Sequence, residues 1–245
     1  MEISFTGKRA LVSGASKGIG RAIAIQLSKC GAEVIALGRN KDDLDSLARE
    51  GKSIKVISVD LADWELTRKT LGNIGDVDLL VNNAGFNILE PMINVTESHI
   101  DQLFAVNYKS VVNLTQIVTE SLLRRKVGGS VVVVSSQASF RGIQDHAIYC
   151  STKAALDAFV KVCALELGPH NIRVNCVNPT VVLTELGQKA WSDPAKAVPM
   201  KAKIPLNRFA EVSDVVDAVL FLLSDKASMI TGTCLPVDGG TLAAL

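Results

Sequence analysis

Apolar residues along this chain cluster into short unbroken runs rich in β-branched side chains, at positions 8–13, 34–37, 54–59, 77–81, 130–134, 172–177 and 233–237. Between them lie longer stretches with a helix-like pattern. Strands that are apolar at every residue, rather than at alternate ones, belong to a sheet covered on both faces, and their alternation with helical stretches predicts repeated βαβ units. The expected fold is α/β: a Rossmann-type doubly wound parallel sheet of about seven strands with helices on both faces, in one domain over residues 1–245. Such sheets bind ligands at the carboxyl ends of their strands. Gly14, Arg39, Asp60, Asn82, Ser136 and Asn178 each follow a strand-like run, so segments distant in sequence are expected to meet at one crevice. Positions 95–126 read as a long helical region. Positions 192–205 hold three of the seven prolines and form the longest irregular stretch, and 184–205 is the expected lid.

The first strand runs into Gly14-Ala-Ser-Lys-Gly-Ile-Gly and then a helix-like run from Arg21. Gly14 permits a tight turn, Gly18 allows close approach of backbone to a ligand, and Gly20 allows close helix packing, while free amides at the helix start attract a pyrophosphate. The spacing is a longer variant of G-x-G-x-x-G. A mere turn would also use these glycines, but its position between a strand and a helix favours a dinucleotide site. After the second strand, Gly38-Arg39-Asn40 lacks the acid that would hold the ribose hydroxyls of NAD. Arg39 and Lys17 instead offer cations to a 2′-phosphate, so NADP(H) is the expected cofactor. Otherwise Arg39 simply opens a solvated turn.

Tyr149 and Lys153, four residues apart, stack on one helical face with Leu156, Val160, Cys163 and Leu167. A free phenol titrates near 10, too high for proton exchange near neutrality, and an adjacent ammonium is expected to lower it. The pair is therefore either a proton donor and its cation, or a half-buried ring beside a surface lysine. Ser136 can be read as an active-site hydroxyl or as a cap on the fifth strand, and Asn107 as a site residue or as a local interruption of a helix.

With 245 residues and 48% hydrophobic content the chain can bury a large core. A formal charge of +1 without a basic block argues against nucleic-acid binding, and no apolar run reaches the length of a membrane span. The first residues lack the basic-then-apolar order of a secretory signal, so a cytoplasmic location is expected. The five cysteines show no paired or metal-ligand spacing, so free thiols and no metal are expected, with small-molecule ligands as partners.

Gly14-x3-Gly18-x-Gly20, Asn82-Asn-Ala-Gly85, Asn107, Ser136 and Tyr149-x3-Lys153 resemble, in order and spacing and over essentially the whole chain, the short-chain dehydrogenases/reductases. Within that family, Asp60-Leu-Ala-Asp-Trp-Glu, Val134-Ser-Ser-Gln, His146-Ala-Ile-Tyr-Cys-Ser-Thr-Lys, Ala190-Trp-Ser-Asp-Pro and Pro236-Val-Asp-Gly-Gly are similar to the L-xylulose (dicarbonyl) reductase and tetrameric carbonyl reductase group. Pro179-Thr180 stands where many members carry Pro-Gly. The resemblance implies an NADP-dependent oxidoreductase that reduces a small carbonyl, such as L-xylulose or diacetyl. Alternatives are a 3-oxoacyl-thioester reductase or an idle NADP-binding protein. It further implies that Tyr149 is the acid/base, Lys153 tunes it and binds the nicotinamide ribose, Ser136 fixes the substrate oxygen, and Asn107 holds a relay water. The cofactor would meet Gly14, Lys17, Gly18, Ile19, Gly20, Arg39, Asp60, Leu61, Asn83, Ala84, Gly85, Val182 and Thr184, in addition to Tyr149 and Lys153. Substrate would meet Ser136, Gln137, Ile143, His146, Tyr149, Asn178 and Trp191. A homotetramer is implied by the same resemblance.

Overall fold

Seven parallel strands form in chain order: β1 (Arg9–Ser13), β2 (Glu33–Gly38), β3 (Ile54–Ser58), β4 (Leu79–Asn82), β5 (Gly129–Val134), β6 (Ile172–Pro179) and β7 (Cys234–Val237). A computed structural model describes residues 2–51 and 53–244. The sheet order is β3-β2-β1-β4-β5-β6-β7, the doubly wound arrangement, with the direction of winding reversing between β1 and β4. Nine helices connect and cover the strands: α1 (Gly18–Lys29), α2 (Lys41–Glu50), α3 (Trp64–Leu71), α4 (Glu97–Phe104), α5 (Ser110–Arg125), α6 (Ala147–Leu167), α7 (Glu185–Ala190), α8 (Pro194–Lys201) and α9 (Val212–Leu223), among the described residues.

The unbroken apolar runs follow from burial on both sides. Along β1, Ala10 and Val12 face one core with Ile23 and Leu27 of α1 and Val215 and Val219 of α9, while Leu11 faces the other with Leu114 and Val118 of α5 and Leu156 and Val160 of α6. Successive strand residues point to opposite faces, so each must be apolar when both faces are covered. At the edge strand β3 this requirement lapses, and Lys55 and Ser58 are exposed.

Two expectations about local structure change. The 95–126 region is helical but not uniform: α4 starts at Thr96, whose hydroxyl accepts from His99 N, and a π-helical segment, Ala105–Lys109, separates α4 from α5. Such a bulge rotates side chains out of the α-helical register, and this one carries Asn107. The proline-rich 192–205 stretch is not irregular, because α8 occupies Pro194–Lys201. Pro194 sits at the helix start, where its missing N–H costs nothing, and Asp193 caps the turn by accepting from Ala195 N.

Candidate active site

The glycine turn is built by close approach to the end of β4. Gly14 has φ +64°, and a Cβ there would stand 2.8 Å from Ala84 Cα. At Gly20 a Cβ would collide with Gly14 O and Asn83 Nδ2. Asn83 Nδ2 donates to Ser13 O at 3.0 Å and Gly14 O at 3.1 Å, and the Ser13 hydroxyl accepts from Asn83 N and Ala84 N. The Asn82-Asn-Ala-Gly turn thus clamps the glycine loop, and Ser13, absent from the sequence reading, is the clamp's other jaw.

Whether this loop suits a dinucleotide is tested by the start of α1. Its N-cap, Lys17, is extended and provides no side-chain cap, and the first turn contains no acid. By contrast Asn40, Asp63 and Thr96 cap α2, α3 and α4 with side-chain oxygens. Unsatisfied amides with the positive end of the helix behind them fit a pyrophosphate. Lys17 Nζ lies 3.3 Å from Asp43, whereas the Arg39 side chain is exposed and its backbone is tied by Ser58 Oγ donating to Arg39 O at 3.0 Å. Asp60 does not cap α3, since Asp63 does that; Asp60 Oδ1 accepts from Ala62 N, and Leu61 turns into the core. Val182 forms a β-bridge with Ala210, and Thr184, the N-cap of α7, lies over Gly18, 3.3 Å from where a Cβ would be. Thr184 therefore meets the glycine loop.

On the other side of the crevice, Ser136 ends the β5 connection by accepting from Ala138 N at 3.1 Å, which caps a short 3-10 turn. Both the capping reading and proximity to the phenol hold at once, because the Ser136 side chain is near enough to pull the Tyr149 phenol down. Lys153 is 4% exposed, donates to Val134 O at 2.9 Å, and stands 5.6 Å from the centre of the Tyr149 ring. The expectation that the ammonium lowers the phenol needs correction. Burial dominates and pushes Tyr149 up, with Ser136 pulling down. Lys153 is itself lowered to about 8, chiefly by burial, against the opposing influence of Cys176 and Asp157.

This shift has a thermodynamic consequence. From about 8 up to the ordinary lysine value of 10.5, the unfolded chain holds a proton that the folded one has lost. Stability therefore rises with pH across that window, by at most ~1.4 kcal/mol per unit for one group. Lys153→Met is expected to be more stable than wild type near neutral pH and to lose that advantage as the pH climbs above about 8. Paired thermal melts would check it; a gap independent of pH would contradict it.

Asn107 is fully buried in the π segment, accepting from Phe86 N at 3.0 Å and donating to Phe86 O at 2.9 Å. Its Nδ2 also reaches Thr152 Oγ1 at 3.3 Å, and Thr152 donates to Tyr149 O. A Cβ at Gly85 would lie 3.3 Å from Asn107 Oδ1 and 3.6 Å from Lys153 Nζ, so the three positions are neighbours.

The expected substrate wall divides. His146 closes a turn on Ile143 through its backbone and lays its ring edge-on to Tyr149 at 6.1 Å. Gln137 is 4% exposed with Oε1 unpartnered. Trp191 packs on Phe209 at 5.2 Å beside Ala197 and Ile204, which makes it an anchor of the α7–α8 segment. Asn178 is a correction. It is fully buried, and its Nδ2 contacts Ser136 O, Ser139 Oγ and both oxygens of buried Asp157, at 3.2, 2.9, 3.2 and 3.0 Å. It holds the Ser136 turn from behind instead of touching the crevice. Elsewhere, a hollow of about 360 Å³ opens at the amino ends of the strands, lined by Lys8, Asp78, Arg125 and Arg173. There Arg125 pairs with Asp78 and Arg173 donates to carbonyls ending α9, so the charges serve the scaffold.

Similarity to known proteins agrees with this geometry. A family model described as "Enoyl-(Acyl carrier protein) reductase" matches residues 14–241. The chain is 56% identical over 243 residues to an "L-xylulose reductase" of Bos taurus, covering 99% of this chain and 100% of that protein. It is 48% identical over 244 residues to "Carbonyl reductase [NADPH] 2" of Sus scrofa, covering 100% of both. A solved gluconate 5-dehydrogenase from Burkholderia cenocepacia, in complex with NADP and tartrate, superposes with a TM-score of 0.92 at 27% identity, covering 100% of this chain and 98% of that one. The glycine cradle, the Asn82-Asn-Ala-Gly clamp, the Tyr149/Lys153 pair and these matches place the chain in the short-chain dehydrogenase/reductase family.

Proposed function

We propose that this protein is an NADPH-dependent reductase of small polar carbonyls, with L-xylulose and α-dicarbonyls such as diacetyl as substrates. The observation that carries the reading is the junction of an uncapped α1 start, fit for a pyrophosphate, with the Ser136–Tyr149–Lys153 cluster across one crevice. The full-length similarity to an L-xylulose reductase and an NADPH carbonyl reductase selects the substrate class.

Bound NADPH would supply the hydride. It would rest on Gly14, Gly18, Ile19 and Gly20, with Arg39 at the 2′-phosphate, Asp60 and Leu61 toward the adenine, Asn83, Ala84 and Gly85 along the β4 end, and Val182 and Thr184 above. Ser136 orients the carbonyl oxygen and Tyr149 donates its proton to it; burial that holds the phenol protonated serves the reductive direction. Lys153 is close to neutral charge balance near pH 8, able to pass a proton back to the phenol. Asn107 fixes the Phe86 backbone beside it and holds the relay water. Gln137, Ile143 and His146 read the substrate hydroxyls and chain, and the 184–205 segment, anchored by Trp191, closes over them.

Among the described residues no helix is long and apolar enough to cross a membrane. We place the protein in the cytoplasm, where its thiols remain reduced. A homotetramer is the assembly we propose by family analogy, and the exposed apolar stripe of Ala154, Ala158, Val162 and Leu165 along α6, with Val162 51% and Leu165 78% accessible, supports a subunit interface there. The test of the reductase reading is NADPH oxidation with L-xylulose, diacetyl and a 3-oxoacyl thioester. Turnover of the first two, with kcat/KM at least tenfold above the thioester, is expected. A preference for the thioester, or no turnover at all, would overturn it.

A further inference from the structure

Read along the chain, the cysteines show no ligand spacing. The fold changes this: Cys176 of β6 and Cys234 of β7 are register partners on neighbouring strands, and Asp157 reaches them from α6. One ligand atom from each, the two sulfurs and a carboxylate oxygen, all lie within 4.8 Å of one another. Cys176 is fully buried and Asp157 is 6% exposed, while half-buried Cys234 gives a way in. The proximity of the two thiols pulls Cys234 down and pushes Cys176 up, and Cys234 Sγ donates to Asp157 O at 4.0 Å. Among the described residues Asp157 makes no salt bridge; its carboxylate oxygens accept from Asn178.

We propose that Asp157, Cys176 and Cys234 form a binding site for a soft divalent cation, zinc being the natural occupant. Two sulfurs and one carboxylate, with a fourth position left open, make a donor set that zinc accepts and that magnesium or calcium does not favour. Two zinc–sulfur bonds of about 2.3 Å at a tetrahedral angle place the sulfurs about 3.8 Å apart, a separation within reach of facing strand residues. On binding, two S–H bonds break, two metal–sulfur bonds form, and two protons leave; no electron changes hands. The carboxylate that now accepts from Asn178 turns to the cation. Asn178 also holds Ser136 O and Ser139 Oγ, so occupancy loosens the turn that carries Ser136 and lowers reductase turnover.

The test uses the full chain, kept reduced with a phosphine, titrated with cadmium as a spectroscopic stand-in. One equivalent is expected to raise the near-ultraviolet cadmium–thiolate band and release two protons, and zinc to displace it. Cys234→Ala, at a half-buried position, and Cys176→Ala are each expected to abolish the band, and Asp157→Asn to weaken affinity by about tenfold to a hundredfold. Cys30→Ala and Cys150→Ala should retain it. A band that survives in Cys234→Ala, or no band in wild type, overturns the site. NADPH turnover should fall with occupancy in wild type and not in Cys234→Ala; the band itself is read without turnover, so failure of the reductase assignment would be seen separately.

Discussion

Replacing Tyr149 by Phe is expected to lower kcat for carbonyl reduction by about 10²–10⁴-fold, the span of a lost general acid, while the dissociation constant for NADPH changes less than about threefold. The substitution keeps the ring and therefore the packing against His146 at 6.1 Å and beneath Lys153 at 5.6 Å. Only the hydroxyl goes, the group whose titration burial raises and Ser136 lowers. No other phenol can replace it: Tyr108, the second of two tyrosines, lies between Phe104 and Phe159 in edge contacts and belongs to the core on that face. Steady-state turnover at saturating NADPH, with binding followed by cofactor fluorescence, separates chemistry from affinity. Near-normal kcat would remove Tyr149 from proton transfer, and a parallel loss of NADPH binding would mean that the ring serves the cofactor instead.

What could be read from the sequence was whatever depends on local pattern. All seven strands were visible because a sheet covered on both faces demands apolar side chains at consecutive positions, and the glycine turn because its backbone leaves no room for Cβ atoms at Gly14 and Gly20. The partner of a side chain was not visible. Asn178 follows the apolar run of β6 and so resembled a crevice residue, yet its amide points back to Asp157, and nothing local announces that pairing. Cys176 and Cys234 escaped for the same reason, since strand register rather than spacing joins them. The 192–205 stretch was misread because Pro194 starts α8 at its first position and the helix continues through Pro199. The phenol's environment was misjudged in sign because helical spacing reports that two groups are near, and not how far both are removed from water.

Arg39→Asp is expected to reverse the cofactor preference, lowering the ratio of kcat/KM for NADPH over NADH by about 10²–10³-fold. Two charge-assisted hydrogen bonds to a phosphate contribute roughly 3–4 kcal/mol, and tenfold corresponds to about 1.4 kcal/mol. The new carboxylate adds repulsion toward the 2′-phosphate and supplies the acceptor that ribose hydroxyls require. Arg39 carries this expectation more than Lys17 because of their surroundings. The Arg39 side chain is exposed just beyond β2, with its backbone fixed by Ser58, whereas Lys17 is engaged by Asp43 at 3.3 Å. Binding a phosphate through Lys17 therefore requires giving up an existing ion pair, although one that is largely solvated and of small value. Lys17→Ala should accordingly shift the ratio by less than about tenfold, through a loss of one point charge rather than of a planar fork. Fold and turnover with NADH serve as the internal control, since Arg39→Asp leaves the Ser136–Tyr149–Lys153 side of the crevice untouched. If the ratio holds in Arg39→Asp and collapses in Lys17→Ala, the phosphate is read by the glycine loop, and the absence of an acid after β2 has no bearing on the choice of nucleotide.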